Sequence, residues 1–327
     1  MIVRRRFLAL AAVSLAARHG AVAQTRGKVW RVGYLAATPL VEPPSPERAA
    51  FLAALRDKGY VPGENLVVEY RSAESDRERL PFLADELARS GVDAIVVSSV
   101  DAARAALDAT KRTPIVLLGV ADPVLFGLVA NLARPGGNVT GSSWQSVDVA
   151  GKRFELLREI APRAQVVAHV FNPDTLAVAV LPAVRDAARR AGFRLEEVRV
   201  ANLDALPRTL DSLERQRPDA LHVTLDARLA GYRQIIADAA LRLRLPSVAN
   251  YRGYVGAGGL LSYAADLRAL YVRGAAYVDR ILRGAYPGDL PVEQPDKFEL
   301  AINAATARAI GVVLPQPLLL RADEVIR

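Results

Sequence analysis

The stretch 94–120, AIVVSSVDAARAALDATKRTPIVLLGV, decides the fold of this chain. Its two ends, AIVVS (94–98) and PIVLLGV (114–120), are continuous apolar runs rich in β-branched residues. Such runs mark strands covered on both faces. Between them Ala103, Ala106, Leu107 and Thr110 recur at helical spacing. Strand, helix and strand in this order make one βαβ unit, the building block of a parallel sheet.

The same rhythm extends in both directions. Upstream, WRVGYLA (30–36) and NLVVEY (65–70) read as strands, with a helix through Lys58 and another over 80–89. Phe51, Ala54 and Leu55 form the buried stripe of the first helix, and Gly59 ends it. Downstream, QVVAHVF (165–171), 195–200, 220–224 and 246–249 read as strands. Helices are expected between them: Ala150, Phe154, Leu157 and Ala161 share one face, and Val180, Val184, Ala187 and Ala191 another. Two more helices are expected near 205–216 and 228–243. Two such series, separated by Arg134-Pro135-Gly136-Gly137-Asn138, predict an α/β protein of two doubly wound lobes facing one another. The length of 327 residues agrees, being more than one core usually holds.

The first residues set an expected address. Arg4-Arg5-Arg6-Phe7-Leu8 has the form of a twin-arginine export signal, followed by an alanine-rich apolar stretch too short to span a bilayer. Ala21-Val22-Ala23 is a small-x-small cleavage site. Residues 1–23 are therefore expected to be a signal peptide, leaving an exported, periplasmic protein. A basic n-region also serves the general secretory route. The formal charge of +8 falls to +4 once Arg4, Arg5, Arg6 and Arg18 are set aside, too mild to argue for nucleic acid. There is no cysteine, hence no disulfide and no thiolate chemistry.

In open parallel sheets, ligands sit beyond the carboxyl ends of the strands. That rule selects the loops carrying Ala37, Ser98 and Ser99, Asp122, Asn172, Asp226 and Tyr251, with Tyr34 at the end of the first strand. Ser98 and Ser99 are candidates to hold a carboxylate, or simply to cap a helix. Asp122-Pro123 reads as an N-cap followed by proline at the first helical position, with a second possible role toward a ligand amine. Asp226 is an equivalent candidate. Tyr251, Tyr254 and Tyr263 surround Gly256-Ala257-Gly258-Gly259, with Trp144 facing them, and suggest a stacking surface or ordinary packing. His169 and His222 lie inside apolar strands and read as core residues. No nucleophile motif, metal cluster, phosphate loop or dinucleotide fingerprint occurs, which favours a binder without cofactor over an enzyme.

The segments 120–141 (VADPVLFGLVANLARPGGNVTG), 254–303 (YVGAGGLLSY to FELAIN) and 311–326 (GVVLPQPLLLRADEVI) resemble ABC transporter substrate-binding proteins of the periplasmic-binding type I fold. The resemblance implies two Rossmann-like lobes joined by three crossover strands, at 138–143, 259–264 and 291–301. It places 28–140 and 264–290 in one lobe, and 141–263 and 291–327 in the other. It also implies capture of a small polar solute, amino acids among them, in an interlobe cleft. The implied partner is an ABC importer permease, reached by peripheral docking at the membrane by a monomer. Two positions depart from the family's pattern: Ser99-Val100-Asp101 replaces a Gly-Thr-Pro type turn, and Leu225 replaces a proline before the acidic residue. An extracytoplasmic sensing module, working through a separate partner chain, and a two-lobed enzyme using Asp122 or Asp226 are the alternatives.

Overall fold

Alternate residues of the first strands go to opposite faces, and each face meets its own pair of helices. The computed structural model describes residues 28–144, 149–174 and 177–327; the signal-peptide expectation for 1–23 lies outside them. The chain begins with β1 (Trp30–Ala36), α1 (Pro46–Asp57), β2 (Leu66–Ser72), α2 (Leu80–Arg89), β3 (Ala94–Val97), α3 (Val100–Ala109), β4 (Ile115–Ala121) and β5 (Val139–Trp144). Val96, Val116 and Leu118 pack with Phe51 and Leu55 of α1. Ile95, Val97 and Leu117 pack with Leu83 and Leu87 of α2 and Ala103 and Ala106 of α3. A strand buried on both faces must be apolar throughout, and β3 is buried at all four positions.

The second lobe repeats the scheme with α4 (Ala150–Ile160), β6 (Val166–Phe171), α5 (Ala177–Arg190), β7 (Arg194–Arg199), α6 (Leu206–Gln216), β8 (Ala220–Val223), α7 (Arg233–Arg242), β9 (Ser247–Ala249), α8 (Gly253–Gly256) and β10 (Leu261–Ala265). The chain then returns to the first lobe as α9 (Leu267–Leu282), whose Ala275 and Val278 cover the face shared with α1. It ends with β11 (Val292–Glu293), β12 (Phe298–Asn303), α10 (Ala304–Ile310), α11 (Gln316–Arg321) and β13 (Glu324–Ile326).

The six-stranded sheet has the order β11-β5-β4-β3-β1-β2 and the seven-stranded sheet β13-β12-β10-β9-β8-β6-β7. Every pairing is parallel except β10 with β12. These are two doubly wound α/β lobes, with the chain passing between them three times. The passages fall a few residues later than 141, 264 and 291, because ladder partners hold Trp144 to Ala121, Ala265 to Phe298 and Glu293 to Ser142.

One irregularity shapes the cleft. The β4–β5 register shifts between Leu117 and Val120, where Gly119 takes a φ of +63°. Its N–H, displaced from the ladder, donates to Ser142 Oγ at 3.0 Å, and that hydroxyl donates to the Leu270 carbonyl at 2.9 Å. A glycine is needed at such a backbone angle.

The histidines lie in the second lobe's core, as their apolar strands suggest. Register sets His169 directly beside His222, their Nδ1 atoms are 3.0 Å apart, and Phe154 stacks on His222 with centroids 4.5 Å apart. The expected helix after Asp122-Pro123 does not form. Asp122 adopts a φ of +35° and Gly127 one of +61°, so the backbone runs through successive turns instead, closed by Phe126 N–H to the Asp122 carbonyl.

Candidate functional site

The order of each sheet puts a topological switch point between β1 and β3 in the first lobe and between β6 and β8 in the second. Loops diverge there and leave a crevice. A cavity of about 330 Å³ occupies it, between the carboxyl ends of the two sets of strands.

From the first lobe come Ala37 and Thr38 after β1, and Ser98 and Ser99 after β3. From the second come the loop 224–228 after β8 and Asn250-Tyr251 after β9. Local chemistry explains how each is held. Ser99 is the N-cap of α3, its Oγ accepting from Ala102 N–H at 3.2 Å. Asp226 Oδ1 accepts from the N–H groups of Arg228 and Leu229, both at 2.8 Å. Asn250 fastens the neighbouring loop: Oδ1 accepts from Leu225 N–H at 2.7 Å and Nδ2 donates to the Leu225 carbonyl at 3.2 Å.

Of the residues selected from sequence, Ala37, Ser98, Ser99, Asp226 and Tyr251 meet at this one cavity. Tyr34 is buried one layer below, in a hydroxyl network with Ser98 and Tyr271. Burial pushes the phenols of Tyr34 and Tyr271 above their ordinary range, so both remain protonated donors. Asn172 is fully buried beside the cleft, its Oδ1 accepting from Asp174 N–H at 2.9 Å, and does not line the cavity. Nor does Asp122, although its neighbours Ala121 and Phe126 do. Tyr254 is buried against Ser247, donating at 3.0 Å, and Tyr263 stacks on Phe298; neither lines the cavity, whereas Trp144 does.

Among the lining residues that the strand-end rule misses are Glu47 in the first turn of α1, Arg77 before α2, and Tyr271 on α9, while Arg228 sits in a selected loop without being singled out. Two of them tie the lobes together. Tyr251 Oη donates to Glu47 Oε1 at 3.4 Å, and burial together with that carboxylate raises the Tyr251 pKa. Arg77 donates to the Asp174 carbonyl of the second lobe and pairs with Asp101 at 2.9 Å. The lobes are thus hydrogen-bonded to one another at two places.

A second cavity, of about 500 Å³, lies beyond the Glu47–Tyr251 bond. Several of its charges are paired: Arg252 with Glu324 at 2.7 Å, Asp323 with Lys297 at 2.5 Å. The smaller cavity is the better receptor, because it combines four aromatic rings (Phe126, Trp144, Tyr251 and Tyr271) with charges of both signs. Among the described residues no group of three His, Asp or Glu side chains is placed to hold a metal ion.

Two doubly wound lobes around an interlobe cavity define a solute receptor of the type I periplasmic-binding fold. The comparison with known proteins agrees: residues 36–326 match the model of the family described as ABC transporter substrate binding protein, and the chain belongs to it. A "Tyrosine-binding protein" of Clostridioides difficile (strain R20291) is 30% identical over 277 residues, 84% of this chain and 79% of that one. A conserved domain protein from Vibrio cholerae superposes with a TM-score of 0.85 at 28% identity, covering 91% of this chain and all of the other. The ABC domain from Streptococcus pneumonia in complex with L-Trp superposes with a TM-score of 0.82 at 24% identity, covering 91% and 99%, a likeness of fold. The family is one of substrate-binding proteins, not enzymes, so the reading of Asp122 or Asp226 as catalytic groups falls away. Membership implies a small-molecule ligand, an ABC transporter as partner, and work outside the cytoplasm. Among the described residues no helix is long and apolar enough to cross a membrane.

Proposed function

We propose that this protein captures an amino acid with an aromatic side chain in the interlobe cavity and delivers it to an ABC importer. The observation that carries this reading is the lining itself. The rings of Phe126, Trp144, Tyr251 and Tyr271 surround a space that also receives Glu47, Asp226 and Arg228. An aromatic zwitterion needs both an apolar, stackable surface and groups of each charge. The 30% identical relative named for tyrosine binding supports the same class.

The ring of the solute packs against Tyr251 and Tyr271, with Tyr34 behind them and Ala37 leaving room beside the first strand. Its amine meets Asp226 or Glu47, and Ser98 and Ser99 border the first-lobe wall of the space it occupies. Asn172 holds the second lobe's rim, and Asp122 supports the turn behind Ala121. The protein acts as a monomer in the periplasm, after residues 1–23 direct export and are removed, and docks on the permease without entering the membrane.

Thermal unfolding of the purified protein against the twenty amino acids tests this. A ligand at a hundred times its dissociation constant adds roughly 2.7 kcal/mol. Tyrosine, phenylalanine or tryptophan should raise the transition. A shift by aliphatic amino acids alone, or by none, refutes the reading.

A further inference from the structure

Arg228 is held in place without its charge being used. Asp226 Oδ1 fixes its backbone, its side chain lines the cavity, and its Nε is buried with no hydrogen-bond partner. Its guanidinium makes no ion pair among the described residues, whereas Arg77, the other lining cation, is committed to Asp101 and Asp174. Leaving a guanidinium N–H buried and unpaired is costly, so such a group marks a place where something else is meant to sit.

The opposite wall offers an anion less. Ser99 Oγ already accepts the Ala102 N–H, and Ser98 is engaged by the Tyr34 and Tyr271 hydroxyls. Asp101, in the first turn of α3, already takes up the charge of Arg77, so among the described residues that wall has no uncommitted cation to offer a carboxylate.

We propose that Arg228 of the second lobe, rather than the serines at the start of α3, anchors the carboxylate of the solute. The planar fork of arginine matches a carboxylate with two parallel donors. The contact makes the ligand's anionic end the element that recruits the second lobe. The inference rests on the reading that the cleft takes an amino acid, and it adds the orientation and the requirement for a free carboxylate.

Calorimetric titration of L-tyrosine and of tyramine, which keeps ring and amine but lacks the carboxylate, tests it in wild type, Arg228→Gln and Arg228→Lys. Wild type should prefer L-tyrosine by roughly 10- to 100-fold. Arg228→Gln should lose that preference while holding tyramine within roughly twofold, and Arg228→Lys should fall between, since it restores charge without the fork. Unliganded Arg228→Gln should melt at the same temperature as wild type or higher, because it sheds an unpaired buried group. Equal weakening of both ligands, unchanged affinity for tyrosine, or a lower melting temperature without ligand each overturns the anchor. Wild-type binding of another amino acid but not tyrosine refutes the aromatic reading alone, and that amino acid with its decarboxylated amine then tests Arg228. Binding of no amino acid refutes both.

Discussion

Acid should weaken the second lobe through one buried pair, His169 and His222. Both rings are buried, their Nδ1 atoms share a 3.0 Å contact, and Phe154 covers one face of His222. Burial is the main reason that the His169 pKa is pushed down to about 3 from 6.5, with Arg153 and Arg185 adding to it against the pull of Glu197. His222 is also held well below the ordinary value, by burial first and then by His169 and Arg153. Above pH 6.5 both folded and unfolded chains carry neutral rings, and the pair adds no pH dependence. Below 6.5 the unfolded chain takes up protons that the folded chain refuses, so stability declines as pH falls toward the folded pKa. The decline is about 1.4 kcal/mol per pH unit for each site. At pH 5 it amounts to roughly 2 kcal/mol for His169, and His222, held down in the same direction, adds to it. That is a large part of the roughly 5–15 kcal/mol that holds an ordinary domain together. Urea unfolding followed by circular dichroism at pH 7, 6 and 5 measures it, with His169→Leu/His222→Leu as the control. Wild type should lose at least about 2 kcal/mol more than the double variant between pH 7 and 5. Parallel pH profiles would refute the reasoning. Because β6 and β8 end in Asn172 and the loop 224–228, solute affinity should fall over the same window.

Arg77→Ala removes the guanidinium that bonds Asp174 across the cleft. The group is partly exposed, so the expected cost is roughly 1 kcal/mol, about a fivefold rise in the solute's dissociation constant, seen mainly as faster release in stopped-flow fluorescence. Gly141→Ala should be far more damaging to stability. A Cβ there would stand 2.5 Å from the Leu117 nitrogen, at a φ of +126°, so a loss of roughly 3 kcal/mol or a collapse in soluble yield is expected on denaturant titration.

Much of the architecture was legible because burial on both faces leaves a plain mark. AIVV at 94–97, IVLLGVA at 115–121 and VVAHVF at 166–171 are strands in the structure, within a residue or so of their apolar runs. The helix α9 was equally legible in principle: Leu270, Gly274, Val278 and Ile281 fall on one stripe, and Tyr271 beside it reaches the cavity. What no local pattern contains is the approach of the lobes. Glu47 meets Tyr251 across 204 positions of sequence, and Arg77 meets Asp174 across 97. Asp122-Pro123 misleads for a different reason. Its composition suits a helix start, but the positive φ angles at Asp122 and Gly127 turn the chain through successive bends.

The strand-end rule finds the cleft without ranking its members, because polar residues there serve two masters. Serine and aspartate are favoured after a strand largely for capping and turn formation, and the structure uses them so: Ser99 for Ala102, Asp226 for Arg228 and Leu229, Asn250 for Leu225. Their side-chain oxygens are partly spent on holding loops. Arg228 differs, since a guanidinium has no acceptor and cannot cap a helix start. Its place, two residues beyond Asp226, follows from that turn, while its guanidinium makes no ion pair among the described residues and its buried Nε has no hydrogen-bond partner. A site reader should therefore weigh a strand-end cation above the hydroxyls around it. The hydroxyls largely set the loops, and the cation beside them is left to meet the solute's carboxylate.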